Sequence, residues 1–146
     1  MKENLIMAHT YGTALAMANV SIPDHLIADV EVPILTSPQA QGDLLVIPCP
    51  QPKNATFAPV PTSGVQVVRG EATGHTHWLH QGFDSPDVKW APDTTDSLTY
   101  GWVLVPEGQS AQLIHTDEHG ANGVGSGCYR VVGKREMAEE IRRVAD

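Results

Sequence analysis

Histidines are concentrated in two short stretches of this chain, GEATGHTHWLH at 70–80 and HTDEH at 115–119. Alternate residues of a β-strand share one face, so the spacing of His75 and His77 suits a pair of ligands on one strand. Neutral imidazole is the commonest metal ligand among side chains. If the two stretches pair as neighbouring strands, four imidazoles converge on one divalent ion, either zinc, or iron or manganese. The predicted ligands are His75, His77, His115 and His119.

Two carboxylates are candidates for proton transfer at such a site. Glu71 lies four residues before His75, and Glu118 lies inside the second stretch. Either one could move protons for a metal-dependent enzyme. A structural role is the alternative, because histidines near glycine turns also cap backbone groups or hydrogen-bond each other across strands. Under both interpretations clustered imidazoles repel once protonated, so we expect acid to destabilise the protein below about pH 6.5.

The other chemistry-bearing residues have structural interpretations. His80 shares parity with neither His75 nor His77, and we expect it to stand apart from the site. The stretch GANGVGSG at 120–127 lacks a following Lys-Ser or Lys-Thr, which favours a flexible hairpin over a phosphate-binding loop. Cys49 and Cys128 are expected to be small core residues rather than nucleophiles.

The HxH strand, Gln81 and the turn VPEG at 105–108 resemble the two-motif pattern of cupins, which are small β-barrels that hold one metal ion. Cupins usually place a glutamate where Gln81 stands, and a histidine soon after the PxG turn. Here the next histidine after that turn is His115. The resemblance implies a cupin-like metal-dependent enzyme in which the four histidines hold the ion.

Short apolar runs separated by turn residues surround the histidines. The 13 glycines and 11 prolines favour many turns and few long helices. Six runs have the character of strands, so we predict a mainly β domain over residues 41–133, a compact β-barrel or sandwich. Residues 83–96 are polar and turn-rich, which predicts a surface loop. The predicted strands are 43–48, 65–70, 76–81, 97–106, 110–116 and 127–133.

The first forty residues differ from this domain. Pro23, Pro33 and Pro38 disfavour both helix interiors and central strands. We therefore predict that residues 1–40 form an extended N-terminal arm, either disordered or laid across a neighbouring molecule.

Residues 134–146 have the pattern of a single C-terminal α-helix. Met137, Ile141 and Val144 fall at i, i+4 and i+7 and form one apolar stripe. A helix of about three turns needs tertiary packing to persist in water. We expect it to dock on the β domain or on a partner.

Charge and composition exclude several classes of partner. Seventeen acidic residues against nine basic ones give a net charge of −8, which repels phosphate backbones and anionic lipid surfaces. Nucleic acid is therefore not an expected partner. A membrane is not expected either, since no run approaches the roughly eighteen apolar residues of a membrane span. Two cysteines outside any CxxC pair fit a reducing cytoplasm. We expect a cytoplasmic location, or the virion if a phage encodes the chain.

Four motifs from Gln41 to the C-terminus resemble a family of small bacterial and phage-borne proteins of unsettled activity. They are QGDLLVIP, GEATGHTHWL, LIHTDEHG and YRVVGKREMAEEIRRVAD. With the arm and the strand-rich domain, this resemblance implies a non-enzymatic structural or assembly protein. It would act as a homo-oligomer in a larger particle such as a capsid lattice, most concretely as a phage capsid decoration or cement protein. A cupin-like metalloenzyme is the alternative.

Overall fold

The computed structural model describes residues 9–18, 31–68, 71, 76–95, 98–115 and 120–145, which form two helices and eleven strands. The helices are α1 (Tyr11–Met17) and α2 (Lys134–Ala145). The strands are β1 (Ile34–Leu35), β2 (Gln39–Gln41), β3 (Leu44–Pro48), β4 (Ala58–Pro59), β5 (Val65–Gln66), β6 (His77–Gln81), β7 (Lys89–Pro92), β8 (Thr99–Val105), β9 (Ala111–His115), β10 (Ala121–Val124) and β11 (Gly127–Gly133).

The strands form two sheets that are not closed into a barrel, so the predicted mainly β fold is confirmed in its sandwich form. One sheet has five strands in the order β1-β10-β9-β6-β5, and the other has six in the order β2-β3-β11-β8-β7-β4. Neighbouring strands are antiparallel, except that β1 runs parallel to β10. All six predicted strand regions contain a strand.

The main core lies between the two sheets. Leu79 and Leu113 of the five-stranded sheet belong to one buried cluster with Val46, Val103 and Tyr129 of the six-stranded sheet. Alternation along each strand explains this cluster, since successive side chains point to opposite faces. Each of these residues is at most 3% exposed.

Amide side chains tie the two sheets together at one edge. The Nε2 of Gln41 on β2 donates to the carbonyl oxygen of Leu113 at 2.8 Å and to Oδ1 of Asn122 at 2.9 Å. Gln39 donates to the carbonyl oxygen of Gly123 at 2.7 Å. These side chains cross from the six-stranded to the five-stranded sheet where main-chain pairing cannot.

An extended arm was predicted for residues 1–40, but its described residues 9–18 and 31–40 include a helix; the other residues of the arm lie outside the described part of the chain. Residues 11–17 form helix α1, whose N-cap Thr10 accepts a hydrogen bond from the backbone N–H of Thr13 at 3.1 Å. Leu15 of α1 packs with Ile114, on the face of β9 that points away from the main core. The described part of the segment therefore packs on its own domain. A helix forms at 11–17 because Thr10 caps it, its alanines favour helix, and the prolines of the segment all lie outside this range.

The predicted C-terminal helix is confirmed as α2. It docks through polar contacts: the Tyr100 hydroxyl donates to Oε1 of Glu136 at 2.7 Å, and Arg130 lies 3.6 Å from Glu140. Ile141, from the predicted apolar stripe, stays 61% exposed. Neither helix of the described chain is long and apolar enough to cross a membrane.

Two predictions for connecting segments were wrong. Residues 89–92, placed in a surface loop, form β7 and bury Trp90 and Ala91. Residues 121–124, placed in a flexible hairpin, form β10 between β1 and β9. Flanking Asp, Pro and Gly residues obscured both strands in the sequence, because these residue types are depleted in strands.

Candidate functional site

The structure brings together two of the four predicted metal ligands. His77 on β6 and His115 on β9 are opposite each other in an antiparallel pair. Their rings stack with 4.1 Å between centroids and 29° between planes. His75 and His119 lie outside the described residues. At His77 and His115, the two histidine stretches therefore pair as neighbouring strands, as expected.

The register of β6 and β9 turns these imidazoles inward. Leu79 pairs with Leu113 two residues further along, and both leucines belong to the main core. Residues at i and i+2 share a face, so His77 and His115 lie on the core-facing side of their sheet. Each is only 4% exposed, which places two titratable rings in a largely desolvated site.

Glu71 fixes the orientation of His77. One carboxylate oxygen accepts from the backbone N–H of His77 at 2.9 Å, and the other lies 2.7 Å from Nδ1 of its ring. A carboxylate only accepts, so we assign the proton to Nδ1, which leaves Nε2 with its lone pair in the neutral ring. The Glu71 carboxylate therefore orients His77, whereas the sequence suggested a proton-transfer role.

Nε2 of His77 is the atom at which chemistry could occur. It is buried and has no hydrogen-bond partner within the described part of the chain. Metal-binding histidines usually donate their second ring nitrogen to a carboxylate or carbonyl, as His77 does to Glu71. The same arrangement suits a buried proton acceptor. Among the described residues there is no group of three or more His, Cys, Asp or Glu placed to hold a metal, so a complete ligand set would need further residues.

His80 stands apart from this pair, as its parity predicted. It pairs with Gln112, which lies three residues from His115 in β9 and therefore on the opposite face of the strand. His80 is 2% exposed. A Cβ at Gly64 would lie 2.6 Å from its ring, so the turn at Gly64 packs directly on the imidazole. Burial lowers the pKa of His80, and a backbone hydrogen bond at Thr62 offsets part of that effect.

Tyr100 and Glu136 form a polar contact that the sequence did not indicate. Burial raises the pKa of Tyr100 to about 12, as do the hydrogen bond to Glu136 and the negative charges of Glu136, Glu71 and Asp43. Tyr100 and Trp102 are two residues apart on β8 and therefore share a face, and this parity was the sequence signal for the position of Tyr100. The tyrosine stays protonated at neutral pH and serves as a hydrogen-bond donor to α2.

The outward side of the six-stranded sheet is a second candidate site. Arg130 pairs with Ile47 on one side and Trp102 on the other, and Cys128 pairs with Leu104. Opposite residues share a face, so these side chains lie together on the side away from the core. We call this surface the outer face; its residues are Leu45, Ile47, Lys89, Trp102, Leu104, Cys128 and Arg130. All are half-buried in the single chain except Lys89, which is exposed.

Comparison with known proteins relates the greater part of the chain to a domain family. The model of a domain of unknown function (DUF8820) matches residues 40–134, which extend from β2 to the first residue of α2. No curated protein and no solved structure matches the chain.

Proposed function

The chain belongs to the DUF8820 domain family, and we propose that it is a non-enzymatic structural protein that works as a homo-oligomer within a larger assembly. The observation that carries this proposal is the apolar outer face of the six-stranded sheet. Leu45, Ile47, Trp102 and Leu104 occupy outward positions where a solvated antiparallel sheet normally places polar residues.

The strand sequences lead to the same interpretation. The runs LLVIP of β3 and WVLV of β8 are apolar at every position, a pattern of strands covered on both faces. The inward residues Val46 and Val103 are buried by the main core, whereas the outward ones are only partly buried. A second copy would bury them through a two-fold interface, because one apolar patch is complementary to itself. Arg130 does not oppose such contact, since Glu140 lies beside it.

A phage capsid decoration or cement protein is the most concrete form of this proposal. Its support is the resemblance of four sequence motifs to phage-borne proteins. In this form of the proposal the partner is a capsid lattice and the location is the virion. Helix α1 packs on its own sheet, so the outer face replaces the arm as the basis for assembly. In the host strain, the protein should co-sediment with virions after prophage induction and should be absent from particles made without its gene.

Light scattering coupled to size exclusion tests the oligomer directly. The wild-type chain should elute with a multi-subunit mass, and Leu104→Glu should shift it to the monomer mass with an unchanged circular dichroism spectrum. Phe83→Glu is the matched control, because Phe83 is a 44% exposed apolar residue away from the outer face. A wild-type monomer at all concentrations, or equal dissociation by both variants, contradicts the proposal.

A divalent-metal protein of cupin-like type is the second candidate. The contact that favours it is Glu71 on Nδ1 of His77, which leaves a buried Nε2 available beside His115. His77 and His115 fit half of a ligand set, and His75 and His119 would have to complete it. A bound zinc, iron or manganese ion would act as a Lewis acid there. The protein's own contribution is a water-poor setting and an imidazole held in one orientation.

Metal analysis of protein purified without an affinity tag tests this candidate. A stoichiometric metal that is lost in His77→Gln and retained in His80→Gln supports it. The control is matched because His80 is equally buried on the same strand but lies on the other face. Substoichiometric metal in the wild type, or equal loss in both variants, argues for a purely structural histidine pair.

A further inference from the structure

The two cysteines, separated by 79 positions in the chain, lie side by side in the fold. Cys49 directly follows β3, and Cys128 lies on β11, its antiparallel neighbour. Pro48 pairs with Tyr129, so the next pair along the ladder is Cys49 with Cys128. The backbone N–H of Cys49 donates to the carbonyl oxygen of Cys128 at 2.9 Å, which fixes this register.

The sulfur atoms are already in contact. Their separation is 4.0 Å, against about 2.05 Å in a disulfide, a difference that side-chain rotation can close. Directly opposite residues of an antiparallel pair have Cα atoms about 4.5–5.5 Å apart, inside the range of about 4.4–6.8 Å found for disulfides. Both thiols are half-buried, so a small reagent has access to them.

We propose that Cys49 and Cys128 are a disulfide modification site, which closes reversibly by exchange with a small-molecule disulfide such as oxidised glutathione. In the first step the Cys49 thiolate attacks one sulfur of the reagent. A mixed disulfide forms and one glutathione thiolate leaves. In the second step Cys128 loses its proton and attacks Sγ of Cys49, which forms the protein disulfide and releases a second glutathione. The protein loses two protons and two electrons, and the reagent is reduced to two thiols.

The order of the two steps follows from the environment of Cys128. Burial raises the pKa of this thiol to about 11, and the adjacent Cys49 sulfur adds to the effect. Cys128 is therefore almost entirely protonated at neutral pH and is a poor first nucleophile. It reacts once the mixed disulfide on Cys49 is held against it. This site requires no metal. Cys128 belongs to the outer face, so glutathione reaches it when that face is open, in dilute, monomeric protein.

Mass spectrometry of the intact chain, incubated natively with oxidised glutathione, tests the proposal. The wild type should lose about 2 Da, the mass of two hydrogens, and regain it with dithiothreitol. Its thermal midpoint should rise by about 5–15 °C, because the bond closes a long loop. Cys128→Ser should stop at one glutathione adduct, Cys49→Ser should react more slowly, and the double serine variant should not change.

Three outcomes would overturn the proposal. The first is a wild type that keeps glutathione adducts without closing the bond. The second is a disulfide between two chains on a non-reducing gel. The third is a wild type that stays fully reduced while the same chain oxidises in denaturant, which would show that the native strands hold the sulfurs apart.

Discussion

Gln41 crosses the interior of the sandwich: its Nε2, on a strand of the six-stranded sheet, donates to the carbonyl oxygen of Leu113 in the five-stranded sheet at 2.8 Å. The side chain is 2% exposed, so water cannot replace this bond. We expect Gln41→Ala to lower the free energy of unfolding by about 1–3 kcal/mol, since it removes the hydrogen bonds that this buried amide donates to the carbonyl oxygen of Leu113 and to Oδ1 of Asn122. Urea denaturation measures the loss. Gln51→Ala, at an exposed residue, is the control. An equal effect of both variants would show that Gln41 does not stabilise the fold by linking the two sheets.

Tyr129 provides a second buried polar anchor. It is 1% exposed, and its hydroxyl donates to the carbonyl oxygen of Gly125 at 2.8 Å. Tyr129→Phe keeps the ring in the core and should cost about 1 kcal/mol of unfolding free energy through the lost hydrogen bond. Tyr100→Phe, which removes a hydrogen bond at a partly buried residue, should cost less in the same urea titration. The reverse order would mean that anchoring α2 matters more than the Tyr129 hydroxyl.

Six of the strands and the histidine pair could be predicted because their signals are local. Apolar runs such as LLVIP and WVLV predict strands without information from the rest of the chain. The proximity of His77 and His115 follows once the two strands that carry them are neighbours. Their stacking and near-complete burial could not be predicted from spacing. Those features depend on the register of β6 against β9, which the whole ladder sets.

Features made by distant residues were out of reach of the sequence. The contacts of Gln41 with Leu113, and of Cys49 with Cys128, join positions more than seventy residues apart, and nothing near either residue marks its partner. Helix α1 was missed for a different reason. Seven residues are too few for apolar periodicity to stand out, and the capping pair Thr10 and Thr13 was the available sign.

His80 should make stability depend on pH. Burial lowers its pKa below 6.5, so the unfolded chain binds a proton more readily than the folded one between these two values. Stability is therefore fully present above pH 6.5 and falls as the pH decreases towards the folded pKa. His9, whose pKa burial also lowers, contributes in the same direction.

Urea titrations at pH 7.5 and 5.5 measure this effect. The loss of stability between the two pH values should be smaller in His80→Gln than in the wild type, and smaller again when His9→Gln is added. If the wild type and His80→Gln lose the same stability, His80 is not a source of the acid sensitivity.

Glu71 separates the metal-binding and structural interpretations of the histidine pair. Its carboxylate lies 2.7 Å from Nδ1 of His77, and neutralising it weakens both the orientation and the basicity of the ring. If the pair holds zinc, Glu71→Gln should reduce zinc affinity by about 10–100-fold while the amide oxygen preserves the fold. Competition titration against a chromophoric chelator measures the affinity. Glu107→Gln, at an exposed carboxylate in the turn after β8, is the matched control. Equal affinities in the two variants would show that any bound zinc does not use His77.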